Sequence, residues 1–150
     1  MDVMKKQDKS PASSTPCVCF NLRKASRVVS QFYDQYLRQA GMRGTQYALL
    51  AHVDGRGGVS ITELGDLLGM EHSTVTRNVE LLAAKGQVSV SVSPDDARRR
   101  MVDLTPAGRD SLDRARPYWL QAQSTMEERL GAEESAVFIR TLNRLVEAVR

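Results

Sequence analysis

The apolar residues of the chain are spaced as in amphipathic helices over most of its length. Between residues 17 and 39 they recur at steps of three and four, which places them on one helical face. These residues are Leu22, Ala25, Val29, Phe32 or Tyr33, and Tyr36. We expect Gly41 and Gly44 to end this helix. The apolar run at residues 45–53 predicts a second, buried helix that a glycine-rich loop follows.

Two short helices separated by a tight turn are predicted next. Ser60 and Glu63 have the spacing of a capping box, in which the serine hydroxyl accepts a backbone N–H and the glutamate reaches back. The helix that starts here ends at Gly69, and another helix begins three residues later and runs to Gly86. The apolar face of this later helix consists of Val75, Val79 and Leu82, and its polar face of Ser73, Thr76, Arg77 and Glu80.

The period of the pattern then changes from helical to alternating. Residues 87–92 alternate strictly between polar and apolar side chains, which predicts a half-buried strand. Pro94, Asp95 and Asp96 are typical of a turn. Residues 100–104 can return as the partner strand. The segment is therefore predicted to be a β-hairpin with an arginine-rich loop.

The remainder of the chain is predicted to be helical. Thr105 as N-cap and Pro106 at the first position start a helix, which Pro117 should kink or divide. Gly131 should break it, and Glu133 and Glu134 follow at the start of a last helix. The apolar stripe of that last helix consists of Phe138, Leu142, Leu145 and Val149. Monomers rarely expose such a surface, so we expect it to form a two-fold interface together with the N-terminal helix.

Helix, tight turn, second helix and hairpin together make a winged helix-turn-helix. Short polar side chains allow the second helix to enter a major groove, where Arg77 can reach a base edge or a phosphate. The loop with Arg98, Arg99 and Arg100 can reach the adjacent minor groove, whose negative potential attracts guanidinium groups. An arginine run by itself is more often a solvated turn. A helical protein-interaction module without DNA binding is therefore the alternative from another class.

Composition and charge reduce the number of protein classes to which the chain can belong. The 150 residues are 41% hydrophobic and 26% charged, which is typical of a globular protein and not of a disordered or membrane protein. The net charge of +3 and the pI of about 9.1 permit a nucleic-acid partner. The sequence has no paired acids with a nucleophile, no glycine-rich phosphate loop and no metal-binding cluster, so we expect no enzyme activity and no cofactor.

The first residues of the chain are expected to be a flexible lead-in. Residues 1–16 contain three lysines but no hydrophobic stretch, which argues against a secretory signal. No apolar run approaches the roughly 20 residues of a membrane-spanning helix. We therefore expect a cytoplasmic protein with no membrane partner.

Three segments of the chain carry a resemblance to a known family: TQYALLAHV, ITELGDLLGMEHSTVTRNVELLAAKG and DARRRMVDLTPAGR. From Cys17 to the C-terminus the chain resembles the multiple-antibiotic-resistance regulator (MarR) family. The last of the three segments has the family's wing pattern, Asp-x-Arg followed by Leu-Thr-x-x-Gly, here Asp96, Arg98, Leu104, Thr105 and Gly108. The resemblance implies a dimeric repressor or activator of pseudopalindromic duplex DNA. We expect its effector to be a small aromatic molecule or an oxidant.

The resemblance also implies a division of the chain and a set of DNA contacts. The fold is expected to be mainly α with a small β wing, as one unit over 17–150. The winged helix-turn-helix lies at about 45–105, and the dimerisation helices at about 17–40 and 106–150. Ser73, Thr74, Thr76 and Arg77 fall on recognition-helix positions. Arg98 falls on the wing arginine, Asp96 on the acid that orients it, and Arg99 and Arg100 are additional cations for phosphate.

Two cysteines near the start of the first helix leave three interpretations open. The segment that begins at Cys19 resembles the helix start of organic-hydroperoxide sensors of the same family, with Tyr33 on the position of a tyrosine that contacts the thiolate. A helix N-terminus favours a thiolate, which peroxides oxidise, and Arg23 could add to this effect. Cys17 could then resolve the oxidised thiol. The other two interpretations are a structural cysteine and a contribution to a metal site.

Overall fold

The computed structural model describes residues 16–150. The predicted lead-in therefore lies outside the described residues, except for Pro16. The elements are α1 (Val18–Leu37), a short 3-10 helix (Arg38–Ala40), α2 (Gly44–Asp54), β1 (Val59–Ser60), α3 (Ile61–Leu68), α4 (His72–Ala84), β2 (Val88–Val92), β3 (Arg100–Leu104), α5 (Pro106–Leu130) and α6 (Ala132–Val149). The fold is mainly α with one small antiparallel sheet, as the sequence predicts.

The connection from α1 to α2 differs from the prediction at one glycine. Gly41 has a φ of +68° and follows the 3-10 helix, as expected of a helix end. Gly44, in contrast, is the first residue of α2, so the prediction that it ends α1 is wrong. Its N–H donates to the carboxylate of Asp34 at 2.7 Å, which places a negative charge at the positive end of α2.

The winged helix-turn-helix is built around a continuous core. The predicted apolar face of α4 is confirmed, because Val75, Val79 and Leu82 are at most 2% exposed. The side chains that join this face in the core include Leu49, Leu50, Leu64, Val102 and Leu112. The capping box at the start of α3 is also confirmed. Ser60 Oγ accepts from the Glu63 N–H at 3.2 Å, and the Ser60 N–H donates to the Glu63 carboxylate at 2.9 Å.

The sheet contains a strand that the sequence pattern did not predict. Strand order is β1-β3-β2, with Val59 opposite Val102 and Val102 opposite Val90. The alternation in β2 correctly predicts a strand but overestimates its burial. Val88 is 3% exposed, whereas Val90 and Val92 are 38% and 50% exposed. Strand β2 therefore leaves the core after Val88, whereas its partner strand β3 remains in the core as far as Val102.

The Leu-Thr-x-x-Gly motif fixes the start of α5 against the turn between α4 and β2. Thr105 Oγ1 accepts from the Gly108 N–H at 3.0 Å and donates to the Gly86 carbonyl at 2.5 Å. A Cβ on Gly108 would lie 1.9 Å from the Gln87 carbonyl oxygen. Glycine is therefore required at position 108 by the close approach of the helix to the backbone of residue 87.

The long helix α5 is not divided at its internal proline. Pro117 lies within the single helix Pro106–Leu130, so division of the helix is excluded. Gly131, with a φ of +89°, separates α5 from α6 as predicted. In the described part of the chain, none of the helices is both long and apolar enough to cross a membrane.

Candidate nucleic-acid interface

The first part of the candidate interface is the exposed side of α4. Ser73 and Arg77 are exposed, and Thr74 and Thr76 are half-buried. The Thr76 hydroxyl donates to the His72 carbonyl at 2.8 Å, so its oxygen can only accept, and His72 Nδ1 lies 3.5 Å from it. Within the described residues, the Arg77 guanidinium has no hydrogen bond or ion pair.

The N-terminus of α4 lacks a side-chain cap. Glu71 is the N-cap residue, and its side chain accepts no hydrogen bond from the helix. This agrees with the weak preference for glutamate at this position. The Thr74 N–H already donates to the Glu71 carbonyl at 2.9 Å, which leaves the N–H groups of His72 and Ser73 available to an anion such as a phosphate.

The second part is the loop between β2 and β3, called the wing loop below (residues 93–99). Asp96 Oδ1 accepts from the backbone N–H of Arg98 at 2.9 Å. Asp96 was expected to orient the Arg98 side chain. It acts in this structure on the backbone of Arg98, and the guanidinium is exposed. The Ser93 N–H donates to the Arg99 carbonyl at 2.9 Å and closes the loop.

Arg99 attaches the wing loop to the start of α3. Its guanidinium lies 3.3 Å from the Glu63 carboxylate, which also accepts from the Ser60 hydroxyl at 2.6 Å. The hydrogen bonds from Ser60 and, to a smaller extent, the charge of Arg99 lower the pKa of Glu63. Arg99 is thus already paired. The sequence did not indicate Glu63 as part of this surface, because the capping box gave that residue a sufficient local role.

A groove joins these two parts. One wall is α4 and the other is the wing, and the residues that line it include Thr62, His72, Thr76, Glu80, Val90, Arg98, Arg99 and Arg100. The structure therefore brings Thr76 together with the three arginines of the wing. Ser73, Thr74 and Arg77 do not line the groove, although they belong to the same helix. The groove and the exposed side of α4 form one surface, on which the guanidinium groups of Arg77, Arg98 and Arg100 have no partner among the described residues.

A pocket lies on another side of the molecule, between α1, α2 and α5. Its volume is about 390 Å³, and Tyr33, Tyr47, His52 and Trp119 are among its lining residues. Tyr47 and Trp119 stack with their ring centroids 5.7 Å apart. Burial, and secondarily the charge of Glu127, raise the pKa of Tyr33, whose hydroxyl donates to Gln123 at 2.7 Å.

The two cysteines occupy different positions at the start of α1. Cys17 is the N-cap residue, and its Sγ accepts from the Phe20 N–H at 3.5 Å. Cys19 lies within the first turn, and both thiols are free and exposed. Tyr33 is 14 residues further along the same helix, which corresponds to about 21 Å. Cys19 and Tyr33 of the same chain are therefore too far apart to contact each other.

The predicted stripe on α6 remains largely uncovered in the single chain. Phe138 and Val149 are 49% and 76% exposed, and Leu142 and Leu145 are half-buried. At the other end of the chain, Phe20 and Val28 on α1 are 65% and 60% exposed. Two terminal helices thus present apolar side chains to solvent.

Comparisons with known proteins place these features in a family. A family model described as "MarR family" matches residues 40–99 of the chain. The structure of the M. tuberculosis transcriptional regulator MosR in complex with DNA has 33% sequence identity and a TM-score of 0.78, over 90% of this chain and 99% of that one. The transcriptional repressor NicR of Pseudomonas putida is 26% identical over 94% of this chain and 89% of its own length. A structure of E. coli MarR with operator DNA, at 19% identity and a TM-score of 0.77 over 85% of this chain and 92% of that one, shares the fold.

Proposed function

The chain belongs to the MarR family of transcriptional regulators, and we propose that it is a homodimeric repressor of a pseudopalindromic operator that an effector releases. The observation that carries this proposal is the surface formed by α4 and the wing, with Arg77 and Arg98 exposed. MosR, its relative at 33% identity, has been solved in complex with DNA, and NicR is named a repressor.

Each part of the surface has a proposed role in the complex. Ser73, Thr74, Thr76 and Arg77 contact base edges and phosphates in the major groove. Arg98 inserts into the adjacent minor groove, and Arg100 contacts phosphate. Arg99 keeps the wing loop at α3 through Glu63, and Asp96 holds the loop at the backbone of Arg98.

The proposed DNA-binding and dimerisation regions have the boundaries that the sequence predicts. The region of about residues 45–105 binds DNA, and the helices at about 17–40 and 106–150 form the dimer. Two-fold symmetry would place the two α4 helices about 34 Å apart, one turn of DNA. The uncovered apolar side chains on α1 and α6 support this assignment, because monomers rarely expose such surfaces.

DNA binding is tested directly with genomic fragments selected on the purified protein. We expect fluorescence anisotropy with a selected duplex to show an affinity that falls steeply as salt increases, because bound arginines release counterions. A scrambled duplex of equal length is the control. Absence of binding at low salt would favour the interaction module without DNA binding.

A small aromatic molecule is the first candidate effector. The pocket of about 390 Å³ has the size of many ligand sites, and it is lined by residues of α1, α2 and α5. It therefore adjoins both the predicted dimerisation helices and the DNA-binding region. A ligand there would change the position of α2 relative to α1 and α5, and with it the spacing of the two α4 helices.

An oxidant is the second candidate effector, and the exposure of both thiols favours it. A hydroperoxide would oxidise the Cys19 thiolate to a sulfenic acid and leave as the alcohol. The Cys17 thiol would then displace water from the sulfenic acid and form a disulfide. The test is operator binding before and after hydroperoxide treatment. Cys19→Ser should bind but not respond, and Cys17→Ser should change only the final oxidised product. If wild-type binding survives oxidation, Cys19 is not a sensor.

A further inference from the structure

The pocket between α1, α2 and α5 has one aromatic wall. Tyr47 and Trp119 stack with an interplanar angle of 16°, and Val29, Leu37 and Ala51 add apolar surface. A ring of the size of benzene or indole can pack against this wall, because aromatic groups prefer stacked or edge-to-face neighbours. The wall therefore favours an aromatic ligand but does not determine its charge.

The charge of the pocket comes from Asp34. In the described part of the chain, Asp34 is the only acid that lines the pocket, and no lysine or arginine does so. Its Oδ1 accepts from the Gly44 N–H at 2.7 Å, which fixes the half-buried carboxylate at the pocket edge. Arg116 is close enough to Tyr47 to act on the pKa of its hydroxyl. Its guanidinium lies 3.9 Å from Asp54 and 3.8 Å from Asp113, so its charge is paired with acids that do not line the pocket.

The hydrogen bonds around the pocket leave acceptors where a ligand would bind. Gln123 donates through Nε2 to Glu127 at 2.8 Å, so its oxygen faces Tyr33 and accepts the Tyr33 hydroxyl hydrogen. The Tyr33 oxygen can then only accept from a ligand. His52 Nδ1 lies 2.7 Å from the Ala48 carbonyl and must donate to it, which makes Nε2 of the neutral ring an acceptor.

From this juxtaposition of an aromatic wall, a fixed carboxylate and two acceptors, we infer that the pocket selects a small aromatic cation, such as a primary arylalkylamine, over an aromatic carboxylate. The ring packs against Tyr47 and Trp119, and the ammonium group donates to Asp34 and to the Tyr33 oxygen. The inference takes this pocket as the effector site of the proposed function. An aromatic carboxylate would instead bring a second negative charge close to Asp34.

The test uses three ligands of similar size on the full-length protein without DNA. Phenethylamine, 2-phenylethanol and 3-phenylpropanoate carry a positive, no and a negative charge at pH 7. We expect calorimetry to show that the amine binds at least about tenfold tighter than the other two, because an ion pair in a partly buried site favours one sign. Asp34→Asn keeps an oxygen for the Gly44 N–H and should remove this preference. Asp110→Asn, an exposed acid on α5, is the matched control and should retain it.

The outcomes separate this inference from the proposed function. Equal binding of the three ligands, tighter binding of the carboxylate, or no binding of the amine at millimolar concentration would overturn the charge selectivity. A preference that persists in Asp34→Asn would overturn the role of Asp34. If the amine binds as expected but leaves operator binding unchanged, the selectivity stands and the effector role of the pocket fails.

Discussion

The DNA-binding region and the terminal helices differ in how they bury their apolar residues. Leu49, Leu64, Val75 and Leu82 of the winged helix-turn-helix are at most 1% exposed. In the terminal helices, large apolar residues remain about half exposed or more, among them Val18, Phe20, Val28, Leu120, Leu130, Val137, Phe138, Ile139, Val146 and Val149. The first region thus buries most of its large apolar side chains within one chain, with Leu67, Leu81, Val90 and Val92 as exceptions. The second leaves a larger apolar surface exposed, as the proposed dimer interface requires.

Because of this difference, the shape of the DNA-binding surface and the spacing between two such surfaces should depend on different parts of the chain. The surface of α4 and the wing is held by contacts within the chain, such as Arg99 with Glu63 and Thr105 with Gly86. The spacing between two such surfaces would depend on α1 and α6. Substitutions in the terminal helices should therefore affect assembly, and substitutions in the wing should affect the strength of DNA binding within an intact dimer.

Leu142→Asp should have the largest effect. A carboxylate in the apolar stripe of α6 cannot be buried at an interface without a large desolvation cost. The dimer should dissociate, and operator binding should weaken about 100-fold or more because the two half-sites are no longer bound together. Sedimentation and anisotropy measure both effects. Arg140→Asp, about 200° around the same helix, is the control and should remain dimeric. A wild-type protein that is a stable monomer at micromolar concentration would refute the assignment.

Gly108→Ala tests the junction between the two regions. The added Cβ would lie 1.9 Å from the Gln87 carbonyl oxygen, so α5 must move away from the base of the wing. We expect a loss of about 3 kcal/mol in the free energy of unfolding, measured by urea denaturation. Gly55→Ala, whose Cβ meets nothing closer than 3.6 Å, is the control. If Gly108→Ala and Gly55→Ala were equally stable, the close approach of Gly108 to the Gln87 backbone would not be the reason for glycine at position 108.

Arg98→Ala should weaken operator binding by about 1–3 kcal/mol through the loss of a minor-groove guanidinium, with the dimer intact. Anisotropy titration gives the affinity, and sedimentation the assembly. Arg140→Ala removes the same charge from α6 and should change the affinity little. Unchanged affinity of the Arg98 variant would exclude Arg98 as a wing contact.

Asp96→Ala should act in the same direction but more weakly. It removes the acceptor for the Arg98 N–H, which we expect to cost about 0.5–1 kcal/mol of operator affinity through a less ordered loop. Asp95→Ala removes the neighbouring charge, and the Asp95 side chain has no hydrogen bond within the described residues. If Asp96→Ala and Asp95→Ala weaken operator binding equally, loss of the hydrogen bond between Asp96 and the Arg98 N–H does not explain the effect.

Glu63→Gln should have the smallest effect at neutral pH. Glutamine can still accept from the Ser60 N–H, but it loses the charge that attracts Arg99. Because the pKa of Glu63 is lowered in the folded chain, its contribution to stability is fully present above the unfolded value of about 4.5 and is lost as the pH falls through the folded pKa. Thermal unfolding should therefore distinguish the two proteins at pH 7 but not in strong acid. If the difference in unfolding temperature between the wild type and Glu63→Gln increased as the pH fell, the lowered pKa of Glu63 would not explain it.

Local sequence patterns predicted most of the elements and part of the candidate site. The capping box at Ser60, the N-cap at Thr105 and the apolar face of α4 are all confirmed, because each depends on residues within one or two turns. The strand β1 has only two residues and no alternation, so its pairing with β3 could not be predicted. Cys19 and Tyr33 lie on one uninterrupted helix, so a contact between them within one chain is excluded, which the local sequence pattern did not reveal.

The sequence by itself predicted most of the helices and strands, the family and the residues expected to face DNA, because hydrophobic period, capping residues and the wing pattern are local properties. The strand β1 and the 3-10 helix are the exceptions. The tertiary structure decided which of those residues act together. It paired Arg99 with Glu63, directed Asp96 to the backbone of Arg98, and placed Asp34 at the edge of a pocket with Tyr33 and Trp119. These contacts join residues from separate elements or through a specific loop conformation, and only the packing of the core fixes the distances between them.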